Sequence, residues 1–309
     1  KLVDIAKESG AQYIKFQMHI AEEETLKDAF SPVYFSDENR FEYFKRTSFT
    51  NSQWKALITY AKQKKINFMC SIFSKRAFDI LFKLGVKNIK IPSGELNNLP
   101  LLKYLNTKKG LKIFLSTGMS SWSEINSALR ILKNNKLVLM QCTSMYPCPD
   151  NLVGLNVIEE MIKKYGKKYH YGFSDHTSGF EASICSLAHG AEYIEKHITF
   201  SKKMYGSDAK FAMEPKDFTE FCNSISKTKR ILLKKVNKNN IKPIKKMKKI
   251  FEKNVIAKKN ISKGHKIDIS HLDFKKSKKG IKAYNYNTII GKVSKKKILK
   301  GQPIEKNNF

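Results

Sequence analysis

Acidic residues are scarce in this sequence, and they are scarcest toward its end. Asp and Glu total 27 of the 309 residues against 59 Lys and Arg, which gives a formal net charge of +32 at pH 7. The segment from Ser226 to Phe309 contains 27 basic and 4 acidic residues, so the first 225 residues carry a net charge of only +9. A basic excess is typical of proteins that bind nucleic acids or membrane surfaces. No aromatic-rich RNA-binding motif or DNA-reading helix accompanies these lysines, so we interpret them as a solvated surface, with polyanion binding as the alternative.

Three further absences exclude other classes of protein. The five cysteines are odd in number and form no close pair, which argues against a disulfide framework and favours a reducing cytoplasm. No run of about 18 apolar residues could span a bilayer and no signal peptide opens the chain, so we expect no membrane partner. The glycine-rich phosphate loops G-x-G-x-x-G and G-x-x-x-x-G-K-[ST] are also absent.

Short apolar runs alternate with longer amphipathic stretches through the first 235 residues. The runs that we predict to be strands are 13–17, 67–72, 88–92, 113–117, 137–142, 169–174 and 193–197. The stretches that we predict to be helices include 52–65, 121–134, 179–190 and 215–235. A repeated strand–helix order predicts a parallel sheet, and seven strands after an opening helix predict an α/β fold, a (β/α)8 TIM barrel whose first strand lies upstream of Lys1. An open doubly wound sheet is the alternative, although such sheets usually carry a glycine-rich turn.

Composition divides the chain into three parts. Residues 1–235 form the predicted barrel. Between 227 and 249 the sequence is rich in lysine and has no Asp or Glu, so we predict a basic linker over 236–250. After the linker, the short β-like runs 254–258, 267–274 and 293–304, with turns at Lys263-Gly264 and Lys300-Gly301, predict a small β-rich domain over 251–309. A domain of about 55 residues buries little apolar surface, so it would be only marginally stable alone.

Polar residues follow the predicted strands at the points where the strands end. In a TIM barrel these carboxyl ends meet on one face, which is where barrel enzymes place their reacting groups. The residues at these ends are Lys15, Gln17, Ser71, Phe73, Lys90, Ser93, Glu95, Thr117, Gly118, Ser144, Tyr146, Ser174, Asp175, His176 and His197. We therefore predict that the active site lies on this face.

Two lysines in this set are candidates for anion binding. If Ile14 and Phe16 face the helices, strand alternation points Lys15 into the barrel. Lys90 stands near the end of another apolar strand. Two inward ammonium groups with serine hydroxyls between them suit a small dianionic ligand that carries a phosphate and a carboxylate. The alternative for Lys15 alone is a solvated surface lysine.

Two histidines in this set are candidates for metal binding. His176 follows one predicted strand and His197 ends the next, and neighbouring strands lie about 4.8 Å apart. Two imidazoles at neighbouring strand ends can converge on one metal ion and leave coordination positions for water and substrate. With Asp208 nearby, we favour a metal site, and a structural role is the alternative for either histidine alone.

Seven motifs in order along the chain resemble those of the sialic acid synthase family, the phosphoenolpyruvate-dependent synthases of nine-carbon nonulosonic acids. The motifs are Lys15-Phe16-Gln17, Lys90-Ile91-Pro92-Ser93-Gly94-Glu95, Leu115-Ser116-Thr117-Gly118-Met119, Gln141-Cys142-Thr143-Ser144-Met145-Tyr146-Pro147, Tyr171-Gly172-Phe173-Ser174-Asp175-His176-Thr177, Glu195-Lys196-His197-Ile198-Thr199, and Gly206-Ser207-Asp208 with Met213-Glu214-Pro215. The tail from Phe251 resembles the antifreeze-like (SAF) domain that follows the barrel in these synthases.

This resemblance implies a condensation of phosphoenolpyruvate with the open-chain aldehyde of an N-acetylated hexosamine such as N-acetylmannosamine, with release of phosphate by C–O cleavage. It assigns the binding of phosphoenolpyruvate to Lys15, Ser71, Lys90, Ser93, Ser144 and Ser174. It assigns the positioning of the sugar to Gln17, Glu95, Tyr146 and Asp208, with Glu95, Lys15 and Asp208 as the catalytic residues. Phe73 and Lys276 are further substrate-binding candidates. His176 and His197 would bind a divalent metal, manganese first, with magnesium or cobalt as alternatives.

The resemblance also implies a domain-swapped homodimer in which each SAF domain covers the other subunit's site. The family's arginine that reaches the partner's sugar falls on Lys276, and the family's first strand with its glutamate is absent from this sequence. The acceptor sugar stays open between N-acetylmannosamine, its 6-phosphate and a 2,4-diacetamido-trideoxy sugar. Two interpretations compete with this one. The chain could be another phosphoenolpyruvate aldol synthase, or an inactive barrel that binds a partner or a polyanion.

Overall fold

The computed structural model describes residues 1–31, 38–206 and 208–309, which fall into two compact units. The first unit is Lys1–Lys234 and the second is Lys235–Phe309. Ser207, in the middle of the last barrel motif, lies outside the described residues.

The first unit is built around one parallel sheet of seven strands that follow each other in chain order. They are β1 (Tyr13–Met18), β2 (Asn67–Ile72), β3 (Asn88–Ile91), β4 (Lys112–Ser116), β5 (Lys136–Gln141), β6 (His170–Ser174) and β7 (Tyr193–Glu195). The sheet curls, because Lys15 on β1 and Glu195 on β7 approach to 3.9 Å although these strands are the two edges of the sheet. This confirms the predicted TIM-barrel class, and the doubly wound alternative is wrong because its strand order would reverse. The last strand ends at Glu195, two residues earlier than predicted.

The helices of the first unit lie between and after the strands along the chain, and most of them pack against the outside of the sheet. They are α1 (Leu2–Glu8), α2 (Ala21–Glu24), α3 (Arg40–Thr47), α4 (Asn51–Gln63), α5 (Lys75–Lys83), α6 (Leu99–Asn106), α7 (Trp122–Ile131), α8 (Asn156–Tyr165), α9 (Glu181–Ala188) and α10 (Pro215–Leu233). The helix α11 (Lys245–Phe251) belongs to the second unit. The sequence sets several of the helix starts directly. Thr50 and Gln53 form a capping box before α4, as Ser121 and Glu124 do before α7, and each satisfies backbone N–H groups that the first helical turn leaves unpaired. Within the described residues no helix is long and apolar enough to cross a membrane.

Apolar residues fill both sides of the sheet. The larger core lies between the sheet and the helices and includes Ile14, which points away from the barrel interior. A smaller interior cluster contains Met69, Phe114, Val138 and Met140, with the rings of Tyr13 and Tyr193 packed against it. The amine of Lys112, at the start of β4, donates to both tyrosine hydroxyls, at 3.3 and 2.6 Å. These side chains fill the amino-terminal end of the barrel interior, and the polar side chains lie at its carboxyl-terminal end.

The second unit has less regular structure than the sequence predicts. It contains one antiparallel pair, β8 (Asn254–Ala257) with β9 (Leu272–Lys275), around a core of its own. The β-like run 293–304 pairs only through isolated bridges, at Val293, Ile298 and Pro303, and forms no ladder of its own. The chain turns at Gly301, where φ is 84°, as the sequence predicts for Lys300-Gly301. The segment predicted as a linker contains α11.

Candidate active site

Two lysines and one glutamate form the charged centre of the barrel's carboxyl-terminal end. Lys90 Nζ donates to Glu195 Oε2 at 3.0 Å, and Lys15 Nζ lies 3.9 Å from Glu195 Oε1. The Lys90 side chain is 3% exposed and that of Glu195 is 17% exposed. Burial alone would raise the pKa of Glu195, but the charges of Lys15 and Lys90 outweigh it and hold this pKa far below its usual range. Glu195 is therefore a carboxylate at neutral pH, and it faces both lysine side chains.

Serine hydroxyls extend this centre on both sides. Lys15 Nζ lies 3.5 Å from Ser71 Oγ, and Ser174 Oγ donates to Glu195 Oε1 at 2.9 Å. These contacts join four of the residues that we assigned to phosphoenolpyruvate from the sequence: Lys15, Ser71, Lys90 and Ser174.

Two more serines meet around a glycine at the next strand ends. The backbone N–H of Gly118 donates to Ser93 Oγ at 3.1 Å, and Ser93 Oγ lies 3.1 Å from Cys142 Sγ. A Cβ atom on Gly118 would lie 2.6 Å from Cys142 Sγ and 2.7 Å from Ser144 Oγ. Any side chain at position 118 would push apart the strand ends that carry Ser93 and Ser144. Gly118 is therefore a structural requirement of the site.

The two candidate metal ligands lie side by side at the ends of β6 and β7. The ring centroids of His176 and His197 are 5.8 Å apart, and the Tyr146 ring lies 4.2 Å from that of His176. Asp208 Oδ2 lies 3.7 Å from His197 Nδ1. Burial lowers the pKa of His176 to about 4 and lowers that of His197 as well, so both imidazoles are neutral at pH 7.

The hydrogen bonds of His176 fit a ligand role. Its Nδ1 lies 2.8 Å from the carbonyl oxygen of Thr143, which accepts only from a protonated nitrogen, so the lone pair of the neutral ring is on Nε2. Among the described residues no group of three or more His, Cys, Asp and Glu side chains is placed to hold a metal ion. The described part of the chain therefore offers two neighbouring imidazoles, with Asp208 beside the second of them.

A cavity of about 300 Å³ opens beside this centre. Gln17, His19, Tyr43, Phe44, Thr47, His197, Ile198, Thr199, Gly206, Asp208, Ala209 and Ala212 line it. His19 is stacked between Phe44 and Phe73, with centroid distances of 3.7 and 3.9 Å, and its Nδ1 donates to Glu24 Oε1 at 3.0 Å. Hydroxyl, amide and aromatic groups of this kind suit a sugar.

One predicted site residue, Glu95, lies apart from the charged centre, and another, Lys276, belongs to the second unit. Glu95 accepts a hydrogen bond from Asn98 at 2.8 Å rather than contacting the lysines, and burial raises the pKa of its carboxyl. Lys276 belongs to the second unit, where its Nζ lies 4.7 Å from the centroid of the Phe251 ring.

The sequence analysis missed Glu195, His19 and Glu24. A signal for Glu195 existed, because it stands two residues before His197 and two-residue spacing on a strand puts side chains on one face. His19 and Glu24 gave no such signal, since their contacts with each other and with Phe44 and Phe73 arise only in the folded chain.

Fold and site together define a TIM-barrel protein with paired cations and paired histidines at the carboxyl ends of its strands, followed by a small β-rich unit. The chain belongs to the NeuB family, whose model matches residues 2–255, and the model of the SAF domain matches residues 253–309.

Named relatives are similar over most of the chain. The N,N'-diacetyllegionaminic acid synthase of Campylobacter jejuni is 36% identical, over 96% of this chain and 90% of that protein. The N-acetylneuraminate-9-phosphate synthase of Homo sapiens is 32% identical, over 75% of this chain and 66% of that protein. The crystal structure of the N-acetylneuraminic acid (sialic acid) synthetase from Leptospira borgpetersenii in complex with citrate superposes with a TM-score of 0.68 at 27% identity, covering 81% of this chain and 85% of that chain.

Proposed function

We propose that this chain is a nonulosonic acid synthase that condenses phosphoenolpyruvate with the open-chain aldehyde of an N-acetylated hexosamine and releases phosphate. The convergence of Lys15 and Lys90 on one carboxylate, beside two neutral histidines, is the observation that carries the proposal. The names of the relatives support it, because they describe synthases of legionaminic and neuraminic acids.

Phosphoenolpyruvate carries a phosphate and a carboxylate, and the two lysines with the surrounding serines offer donors for both groups. The ammonium groups of Lys15 and Lys90 would neutralise the anion, while Ser71, Ser93, Ser144 and Ser174 supply hydroxyl donors. Glu195 then keeps Lys90 and Ser174 in place before the substrate arrives.

In the reaction, the methylene carbon of phosphoenolpyruvate forms a bond to the aldehyde carbon of the sugar. Water adds to the cationic carbon that is left, and the C–O bond to phosphate breaks, so that inorganic phosphate departs. Holding both substrates at one strand-end face supplies much of the rate advantage, because it turns a collision of two molecules into a local step. Gln17, Phe73, Glu95, Tyr146 and Asp208 are the residues that we propose to position the sugar, with Glu95, Lys15 and Asp208 as the catalytic residues.

His176 and His197 would hold a divalent metal, manganese first and magnesium or cobalt as alternatives. A bound metal would supply Lewis-acid polarisation of the aldehyde oxygen. The residues themselves fit this role, since both rings are neutral and the hydrogen bond to Thr143 orients His176. The five free cysteines support a cytoplasmic location.

The acceptor that we propose is an unphosphorylated N-acetylated hexosamine. Among the described residues that line the cavity there is no Lys or Arg, and a sugar phosphate usually needs such a cation. Two relatives at 36% and 30% identity are named N,N'-diacetyllegionaminic acid synthases, which favours a 2,4-diacetamido-trideoxy sugar over N-acetylmannosamine.

The test is phosphate release from phosphoenolpyruvate with Mn²⁺ and each of three acceptors: a 2,4-diacetamido sugar, N-acetylmannosamine and N-acetylmannosamine 6-phosphate. We expect release that depends on the sugar and is fastest with the 2,4-diacetamido sugar. His176→Ala should abolish this turnover while circular dichroism stays native-like. Folded wild-type protein that releases phosphate with none of the acceptors would contradict the proposal and favour a binding role.

A further inference from the structure

A buried ion pair lies directly behind the two candidate metal ligands. Lys196 Nζ is 3.1 Å from Asp175 Oδ1, and the exposed fractions of the two side chains are 1% and 0%. Asp175 immediately precedes His176, and Lys196 immediately precedes His197. The proposed function gives this pair no role.

The strand register explains why the pair and the histidines fall together. Ser174 on β6 and Glu195 on β7 are register partners, so each following residue on one strand end faces the following residue on the other. The inward partners Ser174 and Glu195 share a hydrogen bond of 2.9 Å. Asp175 and Lys196 come next and point to the opposite face, and the two histidines follow on the inward face.

The ion pair closes the turn that carries His176. Asp175 Oδ1 accepts from the backbone N–H of Thr177 at 2.8 Å and from its hydroxyl at 2.7 Å. Lys196 Nζ donates to the carbonyl oxygen of Thr177 at 2.6 Å. The residues on both sides of His176 are therefore fixed to the residue before His197.

A second contact anchors the turn to the helix layer. Ser183 on α9 donates to Asp175 Oδ2 at 2.5 Å, and the Ser183 side chain is buried. Every polar atom of the pair thus has a partner within one packed unit. Burying two charges carries a large desolvation cost, and an apolar pair of similar volume often gives the same stability. Stability alone therefore does not explain a buried ion pair whose polar atoms are all hydrogen-bonded, and we interpret its role as geometric.

We infer that Asp175 and Lys196 are positioning residues that set the spacing and direction of the two imidazoles for a divalent metal. The inference rests on the proposed metal site. The pair holds the backbone beside His176 to the residue that precedes His197, so it would tune metal affinity as outer-shell groups do in other metal sites.

The test compares Mn²⁺ affinity with fold stability in the whole chain. The double variant Asp175→Asn/Lys196→Met removes both charges without leaving one unpaired. We expect its Mn²⁺ dissociation constant, measured by electron paramagnetic resonance of free Mn²⁺, to rise about 10- to 100-fold. Lys112→Met is the matched control, because it removes a partly buried lysine with its hydrogen bonds at the opposite end of the barrel. It should lower the melting temperature and leave the Mn²⁺ dissociation constant unchanged.

A milder variant covers the case in which the double variant does not fold. Ser183→Ala removes one hydrogen bond to Asp175 and no charge, and it should still weaken Mn²⁺ binding several-fold in folded protein. If His176→Ala loses Mn²⁺ while the folded double variant or Ser183→Ala binds it like the wild type, the positioning role is overturned and the proposed function stands. If the wild type binds no Mn²⁺, the inference fails together with the proposed metal site.

Discussion

At the scale of single residues, the charged centre depends on Glu195, whose carboxylate lies between two ammonium groups that would otherwise repel each other. Lys90 is almost fully buried, so its charge needs a partner inside the barrel. Both lysines were predicted from the sequence to point into the barrel, and they meet there at Glu195. The spacing of Glu195 from His197 indicates the face on which its side chain lies, but not that the two lysines lie opposite it.

Glu195→Gln keeps the side chain's size and removes its charge. We expect the free energy of unfolding to fall by about 2 kcal/mol, because a buried ammonium group loses its counter-charge. Inorganic phosphate should raise the melting temperature of the variant more than that of the wild type, since an anion between the lysines replaces the lost charge. Thermal unfolding with and without phosphate measures both effects.

Glu192→Gln is the matched control for this variant. Its carboxylate pairs with His170 just before β7, and both side chains are about half exposed. The change should cost no more than about 0.5 kcal/mol and should not alter the effect of phosphate. An equal phosphate effect in the wild type and Glu195→Gln would show that Glu195 is not the counter-charge.

At the scale of the elements, the barrel could be predicted because buried parallel strands and amphipathic helices leave different periodicities in the sequence. All seven predicted strands overlap β1 to β7. The run 293–304 is β-like in composition but forms no ladder, because its β-branched residues pack into the small core through turns and single bridges. Strand propensity describes a side chain's fit to a packed surface, and such a surface does not require a strand.

The strand ends around Gly118 give a test of close packing. Gly118→Ala should push Cys142 and Ser144 away from Ser93, which disturbs the hydroxyls proposed to bind phosphoenolpyruvate. Overpacking lowers the free energy of unfolding by about 1–3 kcal/mol. The displaced hydroxyls should also bind phosphoenolpyruvate more weakly, and we expect its KM to rise about tenfold, which corresponds to about 1.4 kcal/mol of lost binding energy.

Gly94→Ala serves as its control at the same face. A Cβ atom there meets only the Met119 side chain, at 3.6 Å, which is an ordinary contact. Its KM should stay near the wild-type value. Similar kinetics for the two alanine variants would contradict the packing argument.

The contact between α1 and α4 gives a pH-dependent prediction. Asp4 accepts from Tyr60 at 2.7 Å and lies 2.7 Å from Lys64 Nζ, and Lys64 first, then Tyr60, lowers the pKa of Asp4 from 3.8 to about 2. Because the folded protein holds the Asp4 carboxylate ionised, this carboxylate contributes fully to the free energy of unfolding above about pH 4. The contribution is lost as the pH falls through 2. The melting temperature of the wild type should exceed that of Asp4→Asn at pH 5, and the difference should shrink toward pH 2.

Lys64→Met tests the cause of this pH dependence. Without the ammonium group, Asp4→Asn should change the melting temperature less at pH 5, so the two substitutions should not be additive. A difference between wild type and Asp4→Asn that stays constant from pH 5 to pH 2 would refute the assignment.

At the scale of the whole molecule, the chain joins a barrel to a SAF domain with a strongly basic tail. We propose that two copies pair, so that the SAF domain of each approaches the other's site, with Lys276 in the place of the family's arginine. Lysine keeps the charge but lacks the planar fork that binds two oxygens at once.

Lys276→Arg should therefore lower the KM for the acceptor sugar several-fold without changing kcat, because a guanidinium group donates two parallel hydrogen bonds. Initial rates over a range of sugar concentrations measure this. Lys278→Arg is the control and should leave the KM unchanged. The pairing itself predicts a dimer in sedimentation equilibrium, and an unchanged KM for Lys276→Arg in a dimer would contradict the contact.

Because the strands follow each other in chain order, the charged centre can form only late in the synthesis of the barrel. Lys15 and Glu195 stand at opposite edges of the sheet, at the first and last of its seven strands. A ribosome adds roughly 5–20 residues per second, so both lysines are synthesised well before the carboxylate that neutralises them. Lys15 on the edge strand β1 and Lys90 on β3 therefore lack this counter-charge until β7 has been made, and only then can the sheet curl around all three groups.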